Sequence, residues 1–273
     1  MAANPNKIRT SFWTYTKLTW EMTKLSVMSA MEYRFSFIFQ VCGMIFNDLG
    51  LLTVWIIFFN RFTAVNGWTL PDMVLLFAVF LLIFGLFATF FGGMFELAKY
   101  IARGELDYFL ALPKNVLWHS STSRTEIAAI ADLILGTSLF IFFTGHLSFE
   151  RIITYITVAI LGTLIIVNFG IITQSLAFYI GNYEESGERW FWVLFTIGLY
   201  PQTAFTGALK LITATIIPIF FVVEIPVNLL REFHWGLFAG MLGFWLVTFI
   251  IGLWMFKKGL RRYESGNLIN VRL

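Results

Sequence analysis

Asp48 and Asp132 fall inside long apolar stretches of this 273-residue chain, and they are its first chemical signal. A carboxylate near the middle of a bilayer costs roughly 2.5–3.5 kcal/mol on insertion scales, so such a residue faces a bundle interior or a watery cavity. Two roles fit the pair. With Asn47 they line a translocation path, or they act as a structural clasp with neighbouring Asn, Thr or Ser groups. An Asp132 within a turn of the cytoplasmic edge would carry neither role. The remaining reactive side chains do not cluster. His119, His146 and His234 are isolated, without partners at i±3 or i±4, which reads as ordinary interfacial histidine and gives no metal site. There is no G-x-S-x-G elbow, no C-x-x-C around the single Cys42, and no G-x-x-x-x-G-K-[ST] loop to cradle phosphate. No catalytic residue and no cofactor are expected in this chain. If ATP drives it, another polypeptide binds the nucleotide.

The elements that must position these carboxylates are membrane spans. Hydrophobic residues make up 58% of the chain and charged residues 13%, a balance that a soluble domain would expose as aggregating patches. Hydropathy places spans at about 35–59, 73–95, 127–143, 152–179, 190–211 and 236–256. The expectation is an all-α, polytopic membrane protein of six transmembrane helices, with a cytoplasmic segment over 1–34, a membrane domain over 35–256 and a basic tail over 257–273. The connections are too short for a soluble catalytic domain. Of the 19 Lys and Arg, only Arg61, Arg151, Lys210 and Arg231 lie outside if both termini are cytoplasmic, so the positive-inside rule fixes that orientation. The basic residues gather at span ends and form no stripe for nucleic acid.

Three irregular regions stand out. Trp13, Lys17, Trp20 and Lys24 recur at helical spacing, as in an amino-terminal helix lying in the headgroup zone among membrane lipids. After the second span, Met94, Leu97 and Ile101 continue a helical repeat past Glu96; Lys99 and Arg103 suit its last turn, and Gly104 is a natural C-cap. Glu105 and Asp107 then open a short helix over 105–112 that stops at Pro113. The result is an elbow over 96–113 presenting Glu105, Asp107, Tyr108 and Phe109 to the cytoplasm, read as a docking surface against the alternative of a solvated connector. In 201–233, Pro201, Pro218 and Pro226 interrupt an apolar run that also holds Lys210, Glu224 and Arg231. The pieces over 213–221 and after Pro226 are too short to cross and read as helices that enter the outer leaflet and return. Gly236 and Gly240 form a GxxxG at the start of the last span, a common pattern of close helix contact.

This arrangement resembles an ABC transporter permease of the type-2 export superfamily, in particular the compact six-span group that works with a separate ATPase. The match is carried by Gly104-Glu105-Leu106-Asp107 with Leu110 and Pro113, by Pro218 and Pro226, and by the ending Gly259-Leu260-Arg261-Arg262-Tyr263-Glu264-Ser265-Gly266. In Ala111-Leu112-Pro113-Lys114 the basic residue follows the proline, where many members place it before. The resemblance implies a cell-membrane exporter in which two permease subunits, identical or related, pair with two ABC ATPase subunits that bind ATP and Mg. Alternating access would then be driven through the elbow and the amino-terminal helix. Two other classes stay open. One is an ion- or proton-coupled secondary transporter using Asp48 and Asp132; the other is a membrane-embedded enzyme, which should show clustered polar groups on facing helices.

Overall fold

The computed structural model describes residues 12–143, 147–180 and 183–263, and within them the protein is helical throughout apart from turns and an isolated Val65–Trp68 bridge. Twelve α-helices are labelled in order: α1 Phe12–Glu32, α2 Arg34–Arg61, α3 Leu70–Phe91, α4 Leu97–Ala102, α5 Leu106–Leu110, α6 Val116–Ser121, α7 Ala129–Phe143, α8 Phe149–Gln174, α9 Glu184–Gly198, α10 Gly207–Thr215, α11 Ile225–Arg231 and α12 Trp235–Leu260. Four helical stretches are long and apolar enough to cross a membrane: α2, Leu70–Ala102, Phe149–Phe178 and α12. A fifth candidate is the bent pair Gly207–Thr215 and Phe220–Arg231.

α3 is the axis of the bundle. Its run of Met73, Leu76, Phe77, Phe80, Leu81 and Ile83 is fully buried, because α7, α8, α9 and α11 pack around it. Helices in lipid gain little from burying apolar surface, so close backbone approach and hydrogen bonds must hold them. Both occur here. A Cβ on Gly136 of α7 would stand 2.8 Å from Leu82 N and 2.9 Å from Ala78 O of α3, so only glycine permits that crossing. The Tyr155 hydroxyl from α8 reaches Ala78 O at 2.9 Å and Gly136 O at 3.0 Å, pinning three helices at one point. Further along α8, Thr163 donates to Ile83 O (3.2 Å), and Asn168 Nδ2 donates to Trp245 O and the Thr248 hydroxyl of α12 (3.1 and 3.2 Å). α9 docks through rings: Phe87 stacks on Phe191 at 5.1 Å, and Phe84 meets Phe195 edge-on at 4.8 Å.

Several expected boundaries move. The fifth span does not run over 190–211. α9 begins at Glu184 with Glu185, Glu188 and Arg189 in its first turns, and it stops at Gly198 because Pro201 cannot continue it. In the segment before α12, the first piece is α10 rather than 213–221, and Pro218 marks the break. Pro226 is no break at all: it sits in the first turn of α11, where a missing N–H costs nothing, and a π-turn over Phe220–Glu224 leads into it. The two pieces are bent by 68°. The turn after α9 is closed by Glu224, whose Oε2 accepts from Gln202 N at 3.0 Å, while Gln202 Nε2 donates to Lys210 O at 3.2 Å. Gly236 and Gly240 have nothing within 4 Å of a Cβ position, so their GxxxG packs on no helix among the described residues.

We expect Gly136→Val to destabilise the bundle by about 1–3 kcal/mol through overpacking against α3. Thermal unfolding in detergent would register this as a lowered midpoint, with Gly43→Val, at an open position, as the control.

Candidate functional site

The elbow is built where α3 ends. Gly92–Glu96 tightens into a 3₁₀ turn before α4, and Gly92 and Gly93 allow the backbone around Arg124 and Ser120 to pack directly on it. The break frees the Ala98 amide, which Gln174 Oε1 of α8 accepts at 2.9 Å. Gly104 then takes φ +75°, a left-handed conformation that glycine adopts at no steric cost, and turns the chain into α5. α5 spans Leu106–Leu110, shorter at both ends than the 105–112 helix expected; 111–114 is turn and bend up to and beyond Pro113.

Ion pairs brace this elbow on two sides. Glu96 accepts from Lys99 at 2.9 Å and from Arg124 at 3.0 Å, and Arg124 also lies 3.5 Å from Glu126 at the approach to α7. Arg103 pairs with Glu184, the first residue of α9, at 2.7 Å. Each pair is partly exposed and adds little stability by itself, but together they fix where three elements meet. Tyr263, after α12, lies against Asp107; burial and the nearby Asp107 charge push its phenol up to about 12. Basic side chains at this end rest on ring faces, Lys258 over Trp254 at 4.7 Å and Arg262 over Tyr179 at 4.9 Å.

Of the elbow residues named from sequence, Glu105 and Tyr108 are exposed and Asp107 is half-buried. Phe109 is not presented to the cytoplasm. It is 5% exposed, packed 5.3 Å from both the Tyr100 and His119 rings, because Ala102–Leu106 turns that face of α5 back onto α4 and α6. α6, capped by Asn115 Oδ1 accepting from Trp118 N at 3.0 Å, places consecutive residues on two neighbours. His119 faces α5, whereas Trp118 Nε1 donates to the Thr19 hydroxyl of α1 at 3.1 Å, with Tyr15 5.8 Å from its ring. Sequence reasoning did not single out Trp118, since a lone tryptophan in a short connection carries no periodic signal. Between α1, α4, α5 and α6 opens a cleft of about 660 Å³ bordered by Met22, Tyr100, Glu105, Tyr108, His119 and Arg124.

Asp48 and Asp132 are brought together. Asp48 on α2 and Asp132 on α7 are 1% and 0% exposed and close enough for their charges to interact, with Asn47 Nδ2 donating to Asp48 Oδ1 at 3.4 Å. Asp48 is also one of three buried residues on α2, with Leu52 and Phe59; the rest of the helix is half-buried or exposed.

At the opposite end of α3, Asp72 closes a capping box with Thr69 and pairs with Arg231 at 2.8 Å, and Arg231 lies over the Trp68 ring at 4.7 Å. Pro201, Pro218, Glu224 and Pro226 belong to the bent segment on that side. His234 lies beside Glu232 at 3.7 Å; His146 falls outside the described residues. Among the described residues, no three His, Cys, Asp or Glu side chains converge as metal ligands.

The fold and the elbow define a class: an all-helical protein with several membrane-capable helices, whose polar bracing is concentrated at one end. The model of the ABC-2 family transporter protein family matches residues 44–266, and the chain belongs to that family. It is therefore the membrane component of an ABC transporter, and membership implies pairing with an ABC ATPase. No curated protein and no solved structure matches it.

Two measurements probe this geometry. Asp132→Leu alone leaves Asp48 buried without its partner and should cost about 1–3 kcal/mol, and Asp48→Leu likewise. The Asp48→Leu/Asp132→Leu pair should then cost less than the sum, as read by a double-mutant cycle in unfolding; strict additivity would separate the two groups energetically. At the elbow, burial and the nearby Lys114 hold His119 below its ordinary pKa of 6.5. The folded state thus favours neutral imidazole, and its stability contribution falls as pH drops below about 6.5. Protection of elbow amides from hydrogen exchange should weaken between pH 7 and pH 5, and His119→Gln should flatten that dependence.

Proposed function

We propose that the chain is the permease of an ATP-driven exporter in the cell membrane, assembled as two permease subunits, identical or related, with two copies of a separate ABC ATPase. α2, α3, α7, α8, α9 and α12 make six crossings with both termini cytoplasmic, and α10 with Phe220–Arg231 forms the re-entrant outer segment. α7 and α9 have 15 residues each, about 22 Å at 1.5 Å per residue, so their crossings are completed by the turns flanking them. α1 lies in the cytoplasmic headgroup layer, in keeping with the exposure of Trp13 and Trp20.

The observation that carries the reading is the bracing of the elbow. A surface connector has no need of a left-handed glycine, ion pairs to two other elements and a contact with the chain's own tail. A lever pushed by another subunit does. Glu96, Lys99, Arg103, Gly104, Glu105, Asp107, Tyr108, Phe109 and Pro113 form that lever. ATP and Mg bind in the partner, whose closure displaces the lever; α6 passes the displacement to α1 through Trp118, and α2, α3 and α9 shift across the seam between permeases. A difference of a few kcal/mol in nucleotide affinity between two permease states suffices for coupling. Asn47, Asp48 and Asp132 hold α2 on α7 beside the path. The ion-coupled alternative gains no support from the family match.

The test is purification of the tagged chain from native membranes, where an ABC ATPase should accompany it. In that complex, ATP should change the distance between spin labels at the Asn66 ends of the two permeases. Reversing Glu105 and Asp107 to Lys should reduce that change severalfold while hydrolysis continues and the membrane fold is kept. Undiminished movement in the double variant would remove the elbow from the mechanism, and absence of an ATPase would remove the mechanism itself.

A further inference from the structure

The cleft beside the elbow has a chemistry of its own, and its occupant can be named in class if the ATPase partnership proposed above holds. Its walls are rings: Phe109 lies 5.3 Å from Tyr100, 5.2 Å from Tyr108 and 5.3 Å, edge-on, from His119. Tyr108 is 66% exposed, far more than a tyrosine needs to be when apolar neighbours stand beside it. Glu105 borders the same space and forms no ion pair among the described residues, whereas the charge of Arg124 is already taken up by Glu96 and Glu126. His119 is 3% exposed, and its Nδ1 is buried with no hydrogen-bond partner. Because burial and Lys114 keep that imidazole neutral at pH 7, one of its nitrogens is an acceptor.

Three kinds of occupant can be compared. An anion would meet Glu105 and the negative faces of the rings. An apolar side chain would leave Glu105 and the His119 nitrogen unanswered. A cation satisfies all three groups: ring faces attract it, a carboxylate pairs with it, and its N–H groups donate to imidazole. We infer that this cleft receives a cationic side chain, arginine or lysine, from the ATPase subunit, held between Tyr100 and Tyr108 with Glu105 as its counter-charge. Arginine suits it best, since a planar guanidinium stacks on a ring while donating at its edge. Aromatic and arginine side chains meeting in a partly enclosed pocket are the usual makings of an interface anchor.

The experiment uses the full-length permease with its ATPase. A photo-crosslinking phenylalanine in place of Tyr108 should capture an ATPase peptide, and mapping should place the crosslink beside an Arg or Lys. Glu105→Gln combined with Tyr108→Leu should weaken ATPase binding about tenfold, equivalent to about 1.4 kcal/mol. Tyr108→Phe, which keeps the ring face, should bind as the unaltered chain does. Capture of this chain's own termini or of lipid overturns the inference. So does unchanged affinity in the Glu105→Gln/Tyr108→Leu variant while the ATPase still co-purifies, and in both cases the proposed function stands. If no ATPase accompanies the unaltered permease, the assignment of function fails and this inference goes with it.

Discussion

At two helix breaks of this chain, a polar side chain from another element takes up a freed backbone amide. Hydrocarbon offers no water to do so, and that constraint organises the structure. Gln174 accepts from the Ala98 amide at the break between α3 and α4. Glu224 accepts from the Gln202 amide where α9 stops. The Tyr155 hydroxyl reaches carbonyls on α3 and α7 at their closest crossing. These contacts join elements far apart in sequence, so each irregular backbone segment is also a joint between helices. The irregularities survive because they are shared.

The two ends of the bundle use polar groups differently. On the Asp72 side, the capped starts of α3 and α8 and one arginine stacked on Trp68 close the structure. The elbow side holds a connected set, Glu96 with Lys99 and Arg124, Arg103 with Glu184, and Asp107 with Tyr263. Side chains that would be optional on a passive surface here tie the end of α3 to the start of α9 and to the residue after α12. This asymmetry is what the proposed docking of an ABC ATPase at the elbow would call for.

What could be read from sequence was what has local cause. The continuous apolar run of α3, the helix stop at Gly104 and the helical spacing of Trp13, Lys17, Trp20 and Lys24 in α1 depend on residues within a few positions of one another. Pro218 and Pro226 looked alike because proline at a break and proline in a first turn differ only in what precedes them. Phe109 was misread as exposed because a helix of five residues is too short for periodicity to reveal its inner face. The meeting of Asp48 with Asp132 was not legible at all. Two carboxylates 84 positions apart become neighbours only through the way α7 is turned against α3, to which close contacts at Gly85 on α3 and Gly136 on α7 contribute. Trp118 carried no periodic signal of its own, and its partner Thr19 on α1 lies 99 positions away in sequence.

The glycine-lined crossing of α3 and α7 has no room for even a methyl group at Gly136, where a Cβ would stand within 3 Å of Leu82 N and Ala78 O. Those two helices, with α8 bolted on by Tyr155, behave as a single stave. α2 has only Asp48, Leu52 and Phe59 buried, and so it is the hinged plank beside that stave. That seam is held by few buried side chains, and the two carboxyl groups lie on it.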